Sequence, residues 1–306
     1  MATIYAKAYF KDKVVPSSKA QLSVASSAVL YGLSVYTVFP IHVDSTGRRL
    51  AFRLRDHYER LVNSARIIGI DTFEQQWTLE AFTDAVKQLL DANTISKDVF
   101  IRATVHVDEL VAGTRSRGLS TSLSIFVYDA TPILPKEGAR LKTSVWRRIP
   151  DYAIPSRAKV NGAYVNSVLG KQDAIDSGYD DCIFLDAAGH VCELSAANIF
   201  MVRHGKLITP STTSDLLEGI NRRTVIEVAN NLGIPVVERD IDLTELYIAD
   251  EVFASGTSAY LAAIREIDAR MVGSGEAGPV TKQIQTLYRQ ILFGQMPEYS
   301  HLTTEL

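Results

Sequence analysis

Three short segments carry groups that could serve one reaction. Arg157-Ala-Lys159-Val-Asn-Gly-Ala-Tyr164 offers a primary amine and a phenol, Val191-Cys-Glu193 a carboxylate, and Ser255-Gly-Thr257 a hydroxyl in a turn. A lysine can form an imine with an aldehyde. A carboxylate beside a heterocyclic nitrogen keeps that nitrogen protonated, so the ring accepts an electron pair released nearby. Together these are what pyridoxal phosphate chemistry needs. Each residue has an ordinary alternative: lysines are mostly solvated, a strand glutamate can face water, and a tyrosine can fill a core. The set and its order carry the reading, not any one member.

The elements that must position these groups are both helical and extended. Ile4 to Phe10 and Asp12 to Val15 read as a hairpin, and Leu50 to Arg53 as a short strand. Asp56 to Ile68 reads as a helix with Tyr58, Leu61, Ala65 and Ile68 on one side. Thr78 to Leu90 is a second, with Leu79, Phe82, Val86, Leu89 and Leu90 as its apolar stripe. Val99 to Val107 and Leu119 to Tyr128 are β-rich. Ala163 to Ser177 is a helix ended by Gly178. Asp181 to Leu185, Val191 to Leu194 and Ile199 to Val202 form a strand meander. Gly219 to Leu232 is a helix with Val225, Val228, Ala229 and Leu232 inward, followed by strands at 236–239 and 251–254. Pro279 opens a last helix, with Ile284, Leu287, Tyr288 and Ile291 inward. Regular β-α-β alternation and a GxGxxG are both missing, which argues against a doubly wound nucleotide fold.

The chain has 306 residues, 46% apolar and 22% charged, with net charge −3. That composition is globular and points to neither nucleic acid nor an anionic membrane. No apolar run has the ~20 residues of a membrane span. The start, Met1-Ala-Thr-Ile-Tyr-Ala-Lys, lacks the apolar core and cleavage site of a signal peptide, so a cytoplasmic protein is expected. Thr131-Pro-Ile-Leu-Pro-Lys-Glu-Gly138 suggests a linker, dividing the chain into 1–130, 131–138 and 139–306. If 186–189 form a hairpin loop, Leu185 faces His190 and Ile183 faces Cys192. Cys182 then points to the opposite face, which argues against a disulfide. Zinc-type cysteine and histidine spacings are absent, so no metal is expected.

The string Arg-Ala-Lys-Val-Asn-Gly-Ala-Tyr-Val-Asn-Ser resembles the cofactor-lysine segment of class IV, D-amino-acid-aminotransferase-like pyridoxal phosphate enzymes. Within them the chain is most similar to branched-chain amino acid aminotransferases, from about Leu30 to Phe293. The resemblance implies an α+β, two-domain fold of type IV. It implies that Lys159 is the Schiff-base lysine and proton shuttle, that Glu193 pairs with the pyridine nitrogen, and that Tyr164 reaches the cofactor's phenolic oxygen. Arg60 matches the phosphate arginine, although an ion pair with Asp56 is its ordinary alternative. Leu217, Gly219, Ile220 and Asn221 open a helix whose free N–H groups can take phosphate, with Gly256 and Thr257 adding donors. Asn221 stands where the family usually has Thr.

For the substrate, Tyr31, Phe100 and Arg102 match the branched-chain pocket, with Arg102 at the carboxylate and the Gly256 to Ser258 turn donating N–H groups to it. Tyr128 and Trp146 either close the pocket or belong to a core. Branched-chain enzymes usually read Tyr-Gly-x-x-Val-Phe-Glu-Gly-Ile-Arg where this chain has Tyr31-Gly-Leu-Ser-Val-Tyr36-Thr-Val38-Phe39-Pro40. Tyr36 to Phe39 resembles (R)-selective amine transaminases instead, which lack an arginine at the place of Arg102. Arg115 and Arg117 could meet a second carboxylate, but solvated loop charges are the favoured reading. The expected activity moves an amino group between an amino acid, branched-chain and L, and a 2-oxo acid such as 2-oxoglutarate. The alternatives are an (R)-amine or D-amino acid transaminase, an aminodeoxychorismate lyase, and a non-catalytic relative. The resemblance also implies a homodimer or larger homo-oligomer.

Overall fold

The structure is a computed structural model that describes residues 2–306. Met1, part of the N-terminal stretch discussed above, lies outside them. The described residues form two compact units: residues 2–131, 158–163 and 291–306, and residues 132–157 and 164–290. This differs from the linear division expected at 131–138, which left 158–163 and 291–306 in the second part. Each return has a cause in backbone pairing. Val160 bridges Val35 in antiparallel fashion, and Thr303–Glu305 pairs with Arg49–Phe52.

The first unit is built on an antiparallel seven-stranded sheet. Its strands are β1 (Ile4–Phe10), β2 (Lys13–Pro16), β3 (Ser34–Val43), β4 (Arg49–Phe52), β5 (Val99–Val107), β6 (Thr121–Asp129) and the C-terminal β16 (Thr303–Glu305), in the order β16-β4-β3-β5-β6-β1-β2. Short helices α1 (Ser27–Leu30) and α3 (Phe73–Gln76) accompany the longer α2 (Leu54–Ile67) and α4 (Leu79–Ala92). The hydroxyl of Thr78 accepts the Ala81 N–H at 3.2 Å and so caps α4, satisfying a donor the first helical turn leaves open. Leu61 and Ala65 of α2 and Phe82, Val86, Leu89 and Leu90 of α4 are buried with Val35, Phe39, Ile41, Ile101, Ala103 and Val105 in one cluster. The strand members alternate in sequence, so they occupy one face of the sheet.

The second unit contains β7 (Ala139–Thr143), α5 (Tyr164–Asp176), β8 (Asp181–Leu185), β9 (Val191–Leu194), β10 (Asn198–Arg203), β11 (Lys206–Thr209), α6 (Ile220–Asn231), β12 (Val236–Glu238), α7 (Leu243–Leu246), β13 (Glu251–Gly256), β14 (Tyr260–Ile267) and β15 (Arg270–Met271). The last helix, α8 (Pro279–Leu292), starts in this unit and ends in the first. Strands β10, β13, β14, β7, β8 and β9 pair in sequence, and β9 pairs again with β10, which closes a ring. Leu141, Ile183, Ile199, Met201, Ala254 and Ile264 share its core cluster. The α+β class expected from the sequence is the class observed.

The cysteines correct one expectation. Ile183 pairs with Leu194 and Leu185 with Val191, so β9 carries one residue more than β8 across the same span. Leu185 meeting Val191 and not His190 also makes the hairpin loop one residue longer than expected. That shift brings Cys192 to the same cluster as Cys182, with Phe184 and Ala174, and not to the opposite face. Both cysteines are free and buried, and burial holds both thiols above the usual thiol range.

Gly170 is where α5 meets this cluster. A Cβ there would lie 2.9 Å from Cys182 Sγ and closer still to the ring of Phe184. Glycine-to-alanine in a helix gains up to ~1 kcal/mol of propensity, but overpacking a fixed core costs ~1–3 kcal/mol. Gly170→Ala is therefore expected to lower the thermal midpoint by a few degrees, as calorimetry would measure. A raised midpoint would mean that Phe184 yields.

Candidate active site

Register decides which side chains meet in the first unit. β3 and β5 pair with Tyr36 opposite Thr104, Val38 opposite Arg102 and Pro40 opposite Phe100. β5 and β6 pair with Phe100 opposite Tyr128 and Arg102 opposite Phe126. Directly opposed residues of antiparallel strands point to one face. Tyr36, Val38, Phe100, Arg102 and Tyr128 thus share the face away from the α2–α4 cluster. Phe100 and Tyr128 rings lie 5.6 Å apart.

Lys159 joins that face through the backbone. The Tyr36 N–H donates to the Lys159 carbonyl at 3.0 Å, and the Asn161 N–H donates to the Ser34 carbonyl at 2.9 Å. Around the Val35–Val160 bridge, this opposes Lys159 to Tyr36 and Asn161 to Ser34. The Lys159 ammonium accordingly lies 4.8 Å from the Tyr36 ring centroid, and the Arg102 guanidinium 3.6 Å from it. Arg102 also donates to Asn161 Oδ1 at 2.6 Å, while Asn161 Nδ2 donates to Ser34 Oγ at 2.6 Å. The approach needs a glycine at position 32. Gly32 has φ +64°, and a Cβ on it would lie 2.9 Å from the Gly162 Cα, backbone that cannot move aside.

Other expected residues of this unit stand as follows. Arg60, on α2, donates to Thr37 Oγ1 at 3.3 Å, and Thr37 in turn meets His57 Nδ1 at 2.8 Å. Asp56, its alternative partner, accepts from Arg53 at 3.0 Å. Tyr31 caps α1 at its C-terminal end and is exposed. Arg115 and Arg117 are exposed too, and Arg117 lines a cleft of about 280 Å³ with Gly69, Ile70, Asp71 and Glu74. His106, on the Arg102 face, sits 2.8 Å from Ser124 Oγ. Burial first, and the Arg102 charge second, push its pKa down to about 4.

The second unit gathers a different set around Glu193. Its carboxylate is buried, with Oε1 2.7 Å from an Arg148 nitrogen and accepting the Leu217 N–H at 3.3 Å. Oε2 accepts from Asn198 Nδ2 at 3.2 Å. Three donors on a buried carboxylate stabilise its charged form. Asn198 lies opposite both Glu193 and Ser255 in register, and it also donates to the Leu217 carbonyl at 2.9 Å. The Gly219 N-cap of α6 rests on Asn198 Oδ1, so close that a Cβ would overlap it. No side chain caps α6, and Asn221 Oδ1 is buried with no hydrogen-bond partner. Gly256 ends β13, packed against the Ala196 carbonyl, and Thr257 and Ser258 follow it; Ser258 accepts the Ile133 N–H at 3.0 Å. Tyr164 is the first residue of α5.

Each unit by itself carries groups that suit part of a pyridoxal-type cofactor. A buried charged acid matches a ring nitrogen, the free N–H groups of an uncapped twelve-residue helix match a phosphate, and an amine flanked by a ring and a guanidinium matches an aldehyde carbon. Sequence reasoning missed Arg148, Asn198, Asn161 and Thr37. The polar-pair signals that could have found them, Asn198 beside the Glu193 turn and Asn161 beside Lys159, depend on strand register. Among the described residues there is no group of acidic, histidine and cysteine side chains that could hold a metal, and no helix is long and apolar enough to cross a membrane.

Comparison with known proteins fits this site. Residues 34–267 match the family model for amino-transferase class IV. The chain belongs to that family, and it is an aminotransferase that works with pyridoxal phosphate. It is 37% identical to the "Probable branched-chain-amino-acid aminotransferase" of Aquifex aeolicus (strain VF5), over 97% of this chain and 96% of that one. It is 34% identical to the branched-chain-amino-acid aminotransferase of Escherichia coli (strain K12), over 94% and 93%. The crystal structure of the branched-chain aminotransferase from Thermoproteus uzoniensis with norvaline superimposes with a TM-score of 0.94 at 37% identity, covering 98% of this chain and 99% of that one.

The Arg148–Glu193 pair should govern stability in the absence of any ligand. Breaking a buried pair costs ~3–5 kcal/mol, whereas replacing both partners is often near neutral. Arg148→Met is expected to lower the urea midpoint of the cofactor-free protein markedly, and Arg148→Met with Glu193→Gln to recover most of the loss. Equal losses in the single and double variants would show the pair to be unimportant.

Proposed function

We propose that this chain transfers the amino group of a branched-chain L-amino acid to a 2-oxo acid such as 2-oxoglutarate. The observation that carries the reading is the register that puts the Lys159 amine and the Arg102 guanidinium at one ring, Tyr36, on one sheet face. Full-length likeness to branched-chain aminotransferases supports the substrate class. Bound pyridoxal phosphate supplies an aldehyde that captures the substrate amine and a ring that draws off the electron pair left at Cα. Lys159 anchors that aldehyde carbon and carries the proton away from Cα and back. Glu193 holds the ring nitrogen protonated, and Tyr164 orients the ring through its phenolic oxygen. Arg60, Thr257 and the N–H groups from Leu217 to Asn221 with Gly256 take the phosphate. Arg102, helped by the Ser258 turn, takes the substrate carboxylate, and Tyr31, Tyr36, Val38, Phe100 and Tyr128 shape the pocket. One pocket serves two substrates in turn, a ping-pong scheme.

The working form on this reading is a homodimer or larger homo-oligomer in the cytoplasm. Val165, Val168, Leu169 and Ile175 form an exposed apolar stripe on α5, and such a stripe favours association. A reducing compartment suits two free thiols. Val165→Glu with Val168→Glu is expected to shift the light-scattering mass to that of one chain. Wild-type protein that is fully active as a monomer contradicts the assembly.

The substrate reading is tested on the yellow, cofactor-loaded enzyme. L-leucine, L-isoleucine, L-valine and L-glutamate should bleach the visible band within a turnover, whereas D-alanine and both enantiomers of 1-phenylethylamine should leave it. Lys159→Ala should abolish bleaching. Fast bleaching by the (R)-amine with none by L-leucine overturns the branched-chain reading in favour of the amine class that Tyr36 to Phe39 resembles.

A further inference from the structure

Arg102 is held without a counter-ion. Its partners are a neutral amide oxygen, Asn161 Oδ1 at 2.6 Å, and an aromatic face, the Tyr36 ring at 3.6 Å. No carboxylate among the described residues pairs with it. Asn161 is itself fixed on both sides, by its backbone N–H to the Ser34 carbonyl and by Nδ2 to Ser34 Oγ. It lies two positions from Lys159 on the same seated segment, so both side chains share one face.

We infer that Asn161 is a positioning residue that orients Arg102 through an uncharged acceptor and thereby keeps the guanidinium charge available to a substrate carboxylate. This rests on Arg102 being the carboxylate receptor, as proposed above. The choice of amide over acid is the point. Asn161→Asp would place a permanent carboxylate oxygen where the amide oxygen now stands, and the resident anion would compete with the substrate's. The exchange is sterically neutral. The Ser34 hydroxyl, which now accepts from Nδ2, can rotate to donate to the new oxygen. Arg102 would keep its place and lose its function.

His106 provides a reporter that needs no cofactor. The nearby Arg102 charge depresses its ionisation, acting against Asp108 and adding to the effect of burial. Neutralising Arg102 from Asn161 should relieve part of that depression, whereas a merely structural defect would not.

The binding test uses the loaded enzyme with 4-methylpentanoate, an unreactive branched acid, and its uncharged amide, measured by calorimetry. Wild type should prefer the acid. Asn161→Asp should weaken acid binding about tenfold or more and leave the amide unchanged. Asn161→Ala, which frees the charge but loses its orientation, should weaken the acid only two- to threefold. Arg102→Ala should lose the preference for the acid. In turnover, Asn161→Asp should raise KM for the carboxylate substrates far more than it lowers kcat. In cofactor-free protein, the His106 NMR titration, assigned with His106→Gln, should move upward in Asn161→Asp. If Arg102→Ala loses acid binding while Asn161→Asp retains it and leaves His106 unmoved, the inference falls and the receptor reading stands. If Arg102→Ala keeps full preference for the acid, the receptor reading itself falls, and the role of Asn161 with it.

Discussion

The site depends on how one short segment is seated along β3. β4 pairs with β3 only at Ile41, His42 and Val43, which leaves the same edge open at Ser34 to Tyr36. Those residues are buried, and an unpaired buried backbone group costs ~1–3 kcal/mol. Residues 159–161 fill the edge, taking the Tyr36 N–H and supplying an N–H to Ser34. Once that pairing forms, the alternation of strand side chains sets the rest. Val160 turns into the apolar cluster beside Val35, and Lys159 and Asn161 turn to the other face. A slip of one residue would drive the lysine ammonium into the cluster and bring Val160 out beside Arg102. The apolar residue between two polar ones therefore holds the register, and the register aims the amine.

Much of this was legible in the sequence, and the reasons for the remainder are specific. Helices α2, α4, α5, α6 and α8 announced themselves by apolar periodicity and by Thr78, Gly178 and Pro279 at their ends, because capping and periodicity are local. Strand β3, the one on which the site is built, was read for its motif and not as an element. Eight successive buried residues, Ser34 to Ile41, mask the two-residue alternation that marks a half-exposed strand. The C-terminal return of β16 to β4 and the seating of 158–163 in the first unit are long-range pairings that no local window contains. The hairpin loop between β8 and β9 is one residue longer than its turn residues suggest, so a register counted from the turn is off by one. Of the candidate site, Lys159, Glu193 and Arg102 stand out in the sequence by type and motif. Arg148 and Asn161 do not, since a charged or amide residue declares a partner only when its neighbours in space are known.

The two units treat charge in opposite ways, and the contrast follows from what each group can exchange. Glu193 is buried against Arg148, an amide and a backbone N–H, so its charge is fully compensated within the unit. A buried anion left without such partners would be too costly to keep. Arg102 is given a ring and an amide oxygen, both neutral. These direct the guanidinium and repay some of its desolvation, but they cancel none of its charge. Burial is the first cause of the depressed ionisation of His106, and the Arg102 charge adds to it. An internal acid in the place of Asn161 would have made the first unit more self-sufficient, at the cost of the attraction that an incoming carboxylate needs. On the proposed roles, electrostatic completeness suits a group that stays ionised through turnover, and electrostatic incompleteness suits a group that binds and releases an anion in each half of the reaction.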